Sequence, residues 1–462
     1  MELNKYNRIY FVGIGGIGMS ALASWFSKAG FRVAGYDKSA SDITTKLEKE
    51  GIRVSFDESV AAIPDDFKTD LDKILVIYTP AIPKQHEGLV YFNSNNYTII
   101  KRAAALGLLV KEKKGIAVAG THGKTSVSTT TAWLLNQSCS AFFGGVSKNL
   151  ESNVIINPSA DKVVIEADEY DRSFLTLFPE TLVVTSMDAD HLDIYSDKEE
   201  IVATFYQFIG QIKKDGILIY KNGLSIPFNI NSEISYFTYS LQDVTSDFYA
   251  SNIHIVDGQY CFNWHYPQGM AADFLLGVPG LYNLENAVAA LAAAWLNGAS
   301  VNELKTKLAT YKGVKRRFDF HIRTQSLVYI DDYAHHPEEI RVCIESVRHL
   351  FPNRKITVVF QPHLYSRTRD FATDFAHSLD LCDSVILVDI YPAREEPIAG
   401  VTSQIILDKM HLSKKVLCSY NQVLDQIDAQ PIDILITMGA GNIDRLIIPI
   451  TEALKQKYRE AK

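Results

Sequence analysis

Apolar residues along this chain gather in short runs of five or six, each closed by glycine or an acid and followed by a longer amphipathic stretch. "RIYFVG" leads into the helix-like "MSALASWFSKAG", and the strand-like "RVAGYD" and "KILVIY" follow. Strand, glycine turn, helix and strand in that order predict βαβ units and parallel sheets with helices on both faces. The rhythm restarts at "GIAVAG", with further strands expected at "KVVIEAD", "TLVVTSMD" and "GILIY". A hairpin is expected at "IHIVDGQYCF", where Asp257-Gly258 suits a type I′ turn. An Ala-rich helix is expected from about Asn286 to Leu296, after the turn "GVPGLYN". A third series opens near "LVYIDDYAHHP" and repeats at "KITVVF", "SVILVD" and "DILITM". Between its first two strands, Ile340, Ile344, Val347 and Phe351 recur at helical spacing. The pattern therefore predicts an α/β chain of three domains, at 1–111, 112–320 and 321–462.

Composition narrows the class. A length of 462 residues exceeds one ordinary domain, and 47% hydrophobic residues supply ample core. The net charge of −8 argues against a general nucleic-acid surface, which needs a positive field. No window of about 18 apolar residues predicts a membrane span, and the N-terminus has no signal-peptide pattern. Five scattered cysteines without a C-x-x-C pair fit a reducing compartment and no structural zinc, so the cytoplasm is expected.

Two glycine-rich turns carry the chemistry. Gly13, Gly15 and Gly18 form G-x-G-x-x-G between a strand and a helix, where backbone amides and the helix dipole favour a diphosphate. Asp37 ends the next strand, placed to accept from ribose hydroxyls. The motif leaves open a dinucleotide or a nucleotide-sugar. The second turn, "GTHGKTS", has Gly120 and Gly123 where the common phosphate loop spaces its glycines two residues further apart. Its amides can surround a triphosphate, with Lys124 on the outer phosphates and the Thr125 hydroxyl on a magnesium ion. Downstream, "IEADEYDRSF" and "TSMDADHLDIY" each follow a strand, bringing Glu166 and His191 to the same sheet edge. Carboxylate and hydroxyl oxygens suit Mg²⁺, and an added imidazole suits a second Mg²⁺ or Mn²⁺.

Taken together, "GIGGIGMS", "YTPAIP", "GTHGKTS", "EADEYD", "DADHLDIY", "GLYNLENAVAA", "DDYAHHP", "QPHLYSRTR", "YPAREEP" and "MGAGNID" resemble the Mur ligases, across the whole chain and in order. The short GTxGK[ST] loop is that family's own form. The resemblance, strongest to the alanine-adding branch, implies an N-terminal Rossmann-like domain holding a UDP-sugar rather than NAD. It further implies a central P-loop ATPase-type domain and a C-terminal Rossmann-like domain bringing the amino acid.

By similarity, Gly15, Gly16, Ile17, Gly18, Asp37, Thr79 and Ala81 would hold the uridine diphosphate. Gly120, Thr121, His122, Gly123, Lys124, Thr125 and Ser126 would cover the ATP phosphates, and Thr125, Glu166 and His191 would bind Mg²⁺ (or Mn²⁺). Asn283 and Asn286 look like adenine contacts, and Arg317 and Asp332 like further ATP contacts. His335, His363, Arg367 and Arg394 match positions near the amino acid, where an arginine can bind both carboxylate oxygens. Lys124, His191, His335 and Arg367 are the residues expected to carry catalysis. The implied activity is ATP-dependent ligation of L-alanine to the lactyl carboxylate of UDP-N-acetylmuramate through an acyl phosphate. No nucleic-acid or membrane partner is expected, and the chain would be a monomer or homodimer.

Two departures stand out. Many family members read "QPHR" where this chain has Leu364, which leaves more of the anchoring to Arg367 or Arg394. Several sister ligases carry a carbamylated lysine about fifteen residues after the metal histidine; here Tyr206 stands at that offset, so no carbamate is expected. Two rival activities are a murein-tripeptide recycling ligase and an NAD-dependent oxidoreductase. The latter leaves the GKT loop and both acidic runs without work.

Overall fold

The computed structural model describes residues 3–135, 138–188, 195–227, 229–256, 258–393 and 395–459. The chain divides into two compact units. The first comprises Met1–Ser251, Asn263–Phe274 and Asn286–Ala309; the second comprises Asn252–Phe262, Leu275–Glu285 and Thr310–Lys462.

The first unit holds two parallel sheets. One has five strands in the order Arg53–Ser55, Arg32–Tyr36, Arg8–Val12, Ile74–Tyr78 and Thr98–Lys101. Its strand order reverses between Arg8–Val12 and Ile74–Tyr78, and a crevice beyond the carboxyl ends at such a point is where α/β sheets take ligands. Gly13–Gly16 and Thr79 lie there. The helix Ile17–Lys28 begins two residues before the apolar pattern suggests, because Gly16 already has extended backbone as its N-cap.

The second sheet has seven strands: Ser235–Tyr239, Ile217–Lys221, Thr181–Val184, Lys114–Ala119, Lys162–Glu166, Cys139–Ser147 and Ser152–Ile155. The described pairings are parallel except that of the last two, which is antiparallel. The central strand Lys114–Ala119 is fully apolar past its first residue, as burial on both faces requires. Residues from both sheets' layers, among them Trp25, Phe26, Leu109, Phe142, Phe174 and Phe205, share one continuous core. A buried hydrogen bond from Trp25 Nε1 to Ser140 Oγ (2.9 Å) crosses it.

In the second unit a six-stranded sheet runs Asp319–Arg323, Val328–Asp332, Ile434–Met438, Ile356–Phe360, Ser384–Val388 and Lys415–Cys418. The first strand is antiparallel to its neighbour and the others are parallel. Helix Pro337–Leu350 buries Ile340, Ile344 and Val347 against it, as their spacing predicts. His336 and Glu339 form a capping box at its start.

A third, three-stranded sheet is built from Tyr249–Val256, Gln259–Tyr266 and Gly269–Leu276. The expected hairpin connects the first two strands; Gly258 has φ +75°, and Asp257 lies outside the described residues. The Ala-rich helix spans Leu281–Leu296, five residues earlier than its sequence suggests. Gly280, at φ +106°, closes the preceding turn, so "LYNLE" forms the first helical turn. Among the described residues no helix is long and apolar enough to cross a membrane.

Candidate active site

Gly120 and Gly123 adopt φ of +136° and +84°, conformations that let the chain turn from strand Lys114–Ala119 into helix Lys124–Leu134 within four residues. A Cβ on Gly120 would stand 2.1 Å from Thr185 Oγ1, and one on Gly123 would stand 2.7 Å from Asn286 Oδ1. The turn is braced from the neighbouring strand end. Ser186 Oγ accepts from His122 N at 2.8 Å and pairs with Thr121 Oγ1 at 2.9 Å, while Thr185 Oγ1 donates to the His122 carbonyl. Ser126 accepts from Thr130 Oγ1 through its carbonyl, inside the helix.

Some other helices are capped by side chains, such as Ser41 and Asp197, while others start without one. The helices that begin after the two glycine turns have glycine N-caps and no side-chain cap. Their first N–H groups are left for an anion, which the helix dipole favours.

Lys124 Nζ lies 2.7 Å from the Gly120 carbonyl oxygen and 2.8 Å from Glu169 Oε1. Burial pulls the ammonium's pKa down, but the charges of Glu169, Asp168 and Glu166 outweigh it and hold it above its ordinary value. Thr125 Oγ1 donates to Glu166 Oε1 at 2.8 Å, and the Gly144 amide donates to Glu166 Oε2 at 2.7 Å. Burial raises the Glu166 carboxyl, with Gly144, Lys124 and Thr125 opposing the shift. Thr125 and Glu166 thus offer adjacent hard oxygens, a donor pair that fits Mg²⁺. Among the described residues no group of three or more His, Cys, Asp or Glu gathers as a metal cluster. His191 lies outside the described residues.

At the N-terminal glycine turn, Asp37 Oδ2 accepts from Gly15 N at 2.7 Å and so fixes the loop. Thr79 closes in on Gly13, where a Cβ would meet its methyl at 2.7 Å. Ile17 is 65% exposed, an apolar side chain presented beside the turn, and Gly16 and Ala81 are exposed as well. A Cβ on Gly18 would stand 2.6 Å from Arg102 Nη1. Gly18, Arg102, Leu106, Asn153, Glu166 and Asp168 line one cleft of about 100 Å³, together with Phe142, Phe143 and Gly144. Gly18, Ala21 and Leu22 of helix Ile17–Lys28 and Glu166 at the end of its strand thus share one cleft.

Sequence reasoning missed Arg102, Gly144, Glu169 and Ser186. Glu169 and Ser186 carried a signal, since each sits in a quoted run that follows a strand. Arg102 and Gly144 reach the site from remote segments.

In the second unit, Asp332 is buried at the end of Val328–Asp332 and accepts from Phe318 N (2.7 Å), Ala334 N (2.8 Å) and Tyr282 OH (3.1 Å). Burial pushes its carboxyl up to about 6, against the opposing Arg317 charge and the two amides. Arg317 lies 3.8 Å from Glu339 and over the Tyr333 ring. Asn283 donates from Nδ2 to the Pro279 carbonyl at 2.7 Å. His335 and His363 face each other with ring centroids 6.2 Å apart, and His363 stacks on Tyr391 at 5.9 Å. Arg367 is buried in helix Tyr365–Asp370, four residues after His363 in the chain. Leu364 precedes that helix at φ +72°, a left-handed conformation that an L side chain rarely adopts. Arg394 lies outside the described residues. Tyr206 sits on helix Lys198–Gly210 and donates to the Ser225 carbonyl.

A chain with two glycine-capped helix starts, one bearing Gly-Lys-Thr beside a strand-end carboxylate, has the organisation of an ATP-dependent acid-activating enzyme. Three family models match in order: the Mur ligase family catalytic domain over residues 8–114, the Mur ligase middle domain over 118–294, and the Mur ligase glutamate ligase domain over 316–441. The chain belongs to the Mur ligase family, whose members depend on ATP. It is similar to the UDP-N-acetylmuramate–L-alanine ligase of Parabacteroides distasonis, with 49% identity and all of both chains covered. The protein of that name from Porphyromonas gingivalis is 48% identical over 97% of this chain and 99% of its own. The crystal structure of the UDP-N-acetylmuramate-alanine ligase from Thermotoga maritima shares the fold, with a TM-score of 0.74 and 24% identity over 98% of this chain and 100% of that one.

Proposed function

We propose that this chain joins L-alanine to the lactyl carboxylate of UDP-N-acetylmuramate with ATP, giving UDP-N-acetylmuramoyl-L-alanine, ADP and phosphate for peptidoglycan synthesis. The observation that carries this reading is the cleft in which Gly18 and Arg102 meet Glu166 and Asp168. A UDP-sugar seated on the N-terminal glycine turn would point its acid toward the Lys124 loop. Full-length identity with alanine ligases supports the choice within the family.

A free carboxylate is a poor acyl donor because its oxide is a poor leaving group. ATP supplies the phosphoryl group that converts it to an acyl phosphate, and Mg²⁺ (or Mn²⁺) neutralises charge on the phosphoryl oxygens. The chain's own part is to bind and orient. The amides of Gly120–Ser126 and the Lys124 ammonium would take the phosphates, the largest contribution expected in phosphoryl transfer. Thr125 and Glu166, with His191, would hold the metal. Asn286, whose Oδ1 would stand 2.7 Å from a Cβ on Gly123, would serve the nucleotide in the first unit, and Asn283, Arg317 and Asp332 of the second are expected to contribute as well. Asp37, Thr79 and the Gly15–Gly18 turn would orient the uridine diphosphate. Arg367 and Arg394, with His335 and His363, would bring the L-alanine carboxylate.

Phosphate release measured across a matrix of nucleotide-sugars and amino acids tests the reading. Release should require UDP-N-acetylmuramate and L-alanine together. Turnover with a murein tripeptide but not with L-alanine would replace it with the recycling ligase.

A further inference from the structure

Glu169 is a buried carboxylate to which the reaction above gives no part. Its side chain is about 1% exposed, and Oε1 lies 2.8 Å from Lys124 Nζ. The two glutamates of "EADEYD" therefore divide their work: Glu166 faces the Thr125 hydroxyl, and Glu169 faces the Lys124 ammonium. Lys124 also donates to the Gly120 carbonyl, so the side chain is folded back along its own loop. Glu169 is itself firmly held, since its carbonyl accepts from Arg172 N at 2.9 Å and from Tyr195 OH at 2.7 Å.

We infer that Glu169 is the counter-ion that latches Lys124 in the nucleotide-free loop and is exchanged for phosphate oxygens when a nucleotide binds. The inference rests on the reading of this loop as the ATP site. An ammonium has three donors and no acceptor. With one proton on the Gly120 carbonyl and another toward the Thr121 carbonyl at 3.5 Å, the proton on Glu169 is the one that a polyphosphate must share or take. A buried ammonium without a partner is strongly unfavourable, so a lysine in this place needs an anion while the loop is empty. That same anion then repels an incoming polyphosphate across a poorly screened distance. Glu169 thus keeps the empty loop in order and lowers its affinity for nucleotide. It is a positioning residue, acting through Lys124.

Calorimetric titration of the full-length chain with ADP and Mg²⁺, at low salt and without sugar or amino acid, tests the latch. Glu169→Gln keeps the shape and an acceptor for Lys124 but removes the charge. It should bind ADP at least threefold more tightly than the unaltered protein. Its empty form should melt at a lower temperature, and saturating ADP should close that gap. A merely structural glutamate would instead lower both melting points and weaken ADP. Unchanged or weaker ADP binding by folded Glu169→Gln overturns the latch. Should that variant not fold, Glu169→Asp, whose carboxylate is drawn back, should show a smaller gain of the same sign, and no gain overturns it. If the unaltered protein binds no ADP, the nucleotide site itself fails and the latch with it. ADP binding without a gain in the variants sinks the latch alone.

Discussion

Thr125 Oγ1 donates to Glu166 Oε1 across 2.8 Å, joining the phosphate loop to the end of the neighbouring strand. Thr125→Val removes this hydroxyl at nearly constant volume. If the pair holds the metal, the Mg²⁺ concentration needed for half-maximal phosphate release should rise about tenfold or more, and kcat should fall about 10²-fold. A Mg²⁺ titration matching the unaltered protein would refute the role.

Lys124→Ala should abolish ATP-dependent phosphate release while UDP-sugar binding survives. It also leaves Glu169 buried with its ion-pair partner removed, which costs about 3 kcal/mol of stability. Adding Glu169→Gln to Lys124→Ala should recover much of that loss in a urea unfolding series, without restoring turnover.

Gly120→Ala puts a methyl group 2.1 Å from Thr185 Oγ1 at a backbone φ of +136°. Strain of about 1–3 kcal/mol arises from the backbone alone. The variant should be less stable and bind ADP at least about tenfold more weakly. UDP-sugar affinity, measured in parallel, should stay unchanged.

Asp37→Ala removes a charge-assisted hydrogen bond to Gly15 N and the expected ribose acceptor. At about 1.5–3 kcal/mol for such a bond, the KM for UDP-sugar should rise about ten- to a hundredfold. The KM for ATP should hold steady, and a shared rise in both constants would count against the assignment.

Asp332 gives a pH signature. Its carboxyl is raised from 3.8 to about 6 in the folded chain. Between those values the folded chain holds a proton that the unfolded chain has released, so this stabilising contribution is complete below the lower value and lost as pH rises through about 6. The stability of the unaltered protein minus that of Asp332→Asn should fall by about 2–3 kcal/mol from pH 4 to pH 7. Urea unfolding across that range measures it, and a flat difference would remove Asp332 as the source.

The sequence by itself determined the local units. Apolar runs closed by glycine specify strand, turn and helix within about twenty residues, so both glycine turns, the helix Pro337–Leu350 and the hairpin around Gly258 were legible. It left obscure the strand Cys139–Ser147, which has neither clean alternation nor a clear boundary, and the true start of the helix at Leu281, which depends on the backbone of Gly280. Only the tertiary structure decided which acid serves which group. Lys162–Glu166 lies beside Lys114–Ala119 in the sheet, so Glu166 reaches Thr125 while the following turn carries Glu169 to Lys124. Arg102 and Gly144 enter the same region from segments far apart in the chain. The reason is physical: turn chemistry acts over a few residues, whereas strand order is set by how distant side chains fill a common core, and no short stretch of sequence records that.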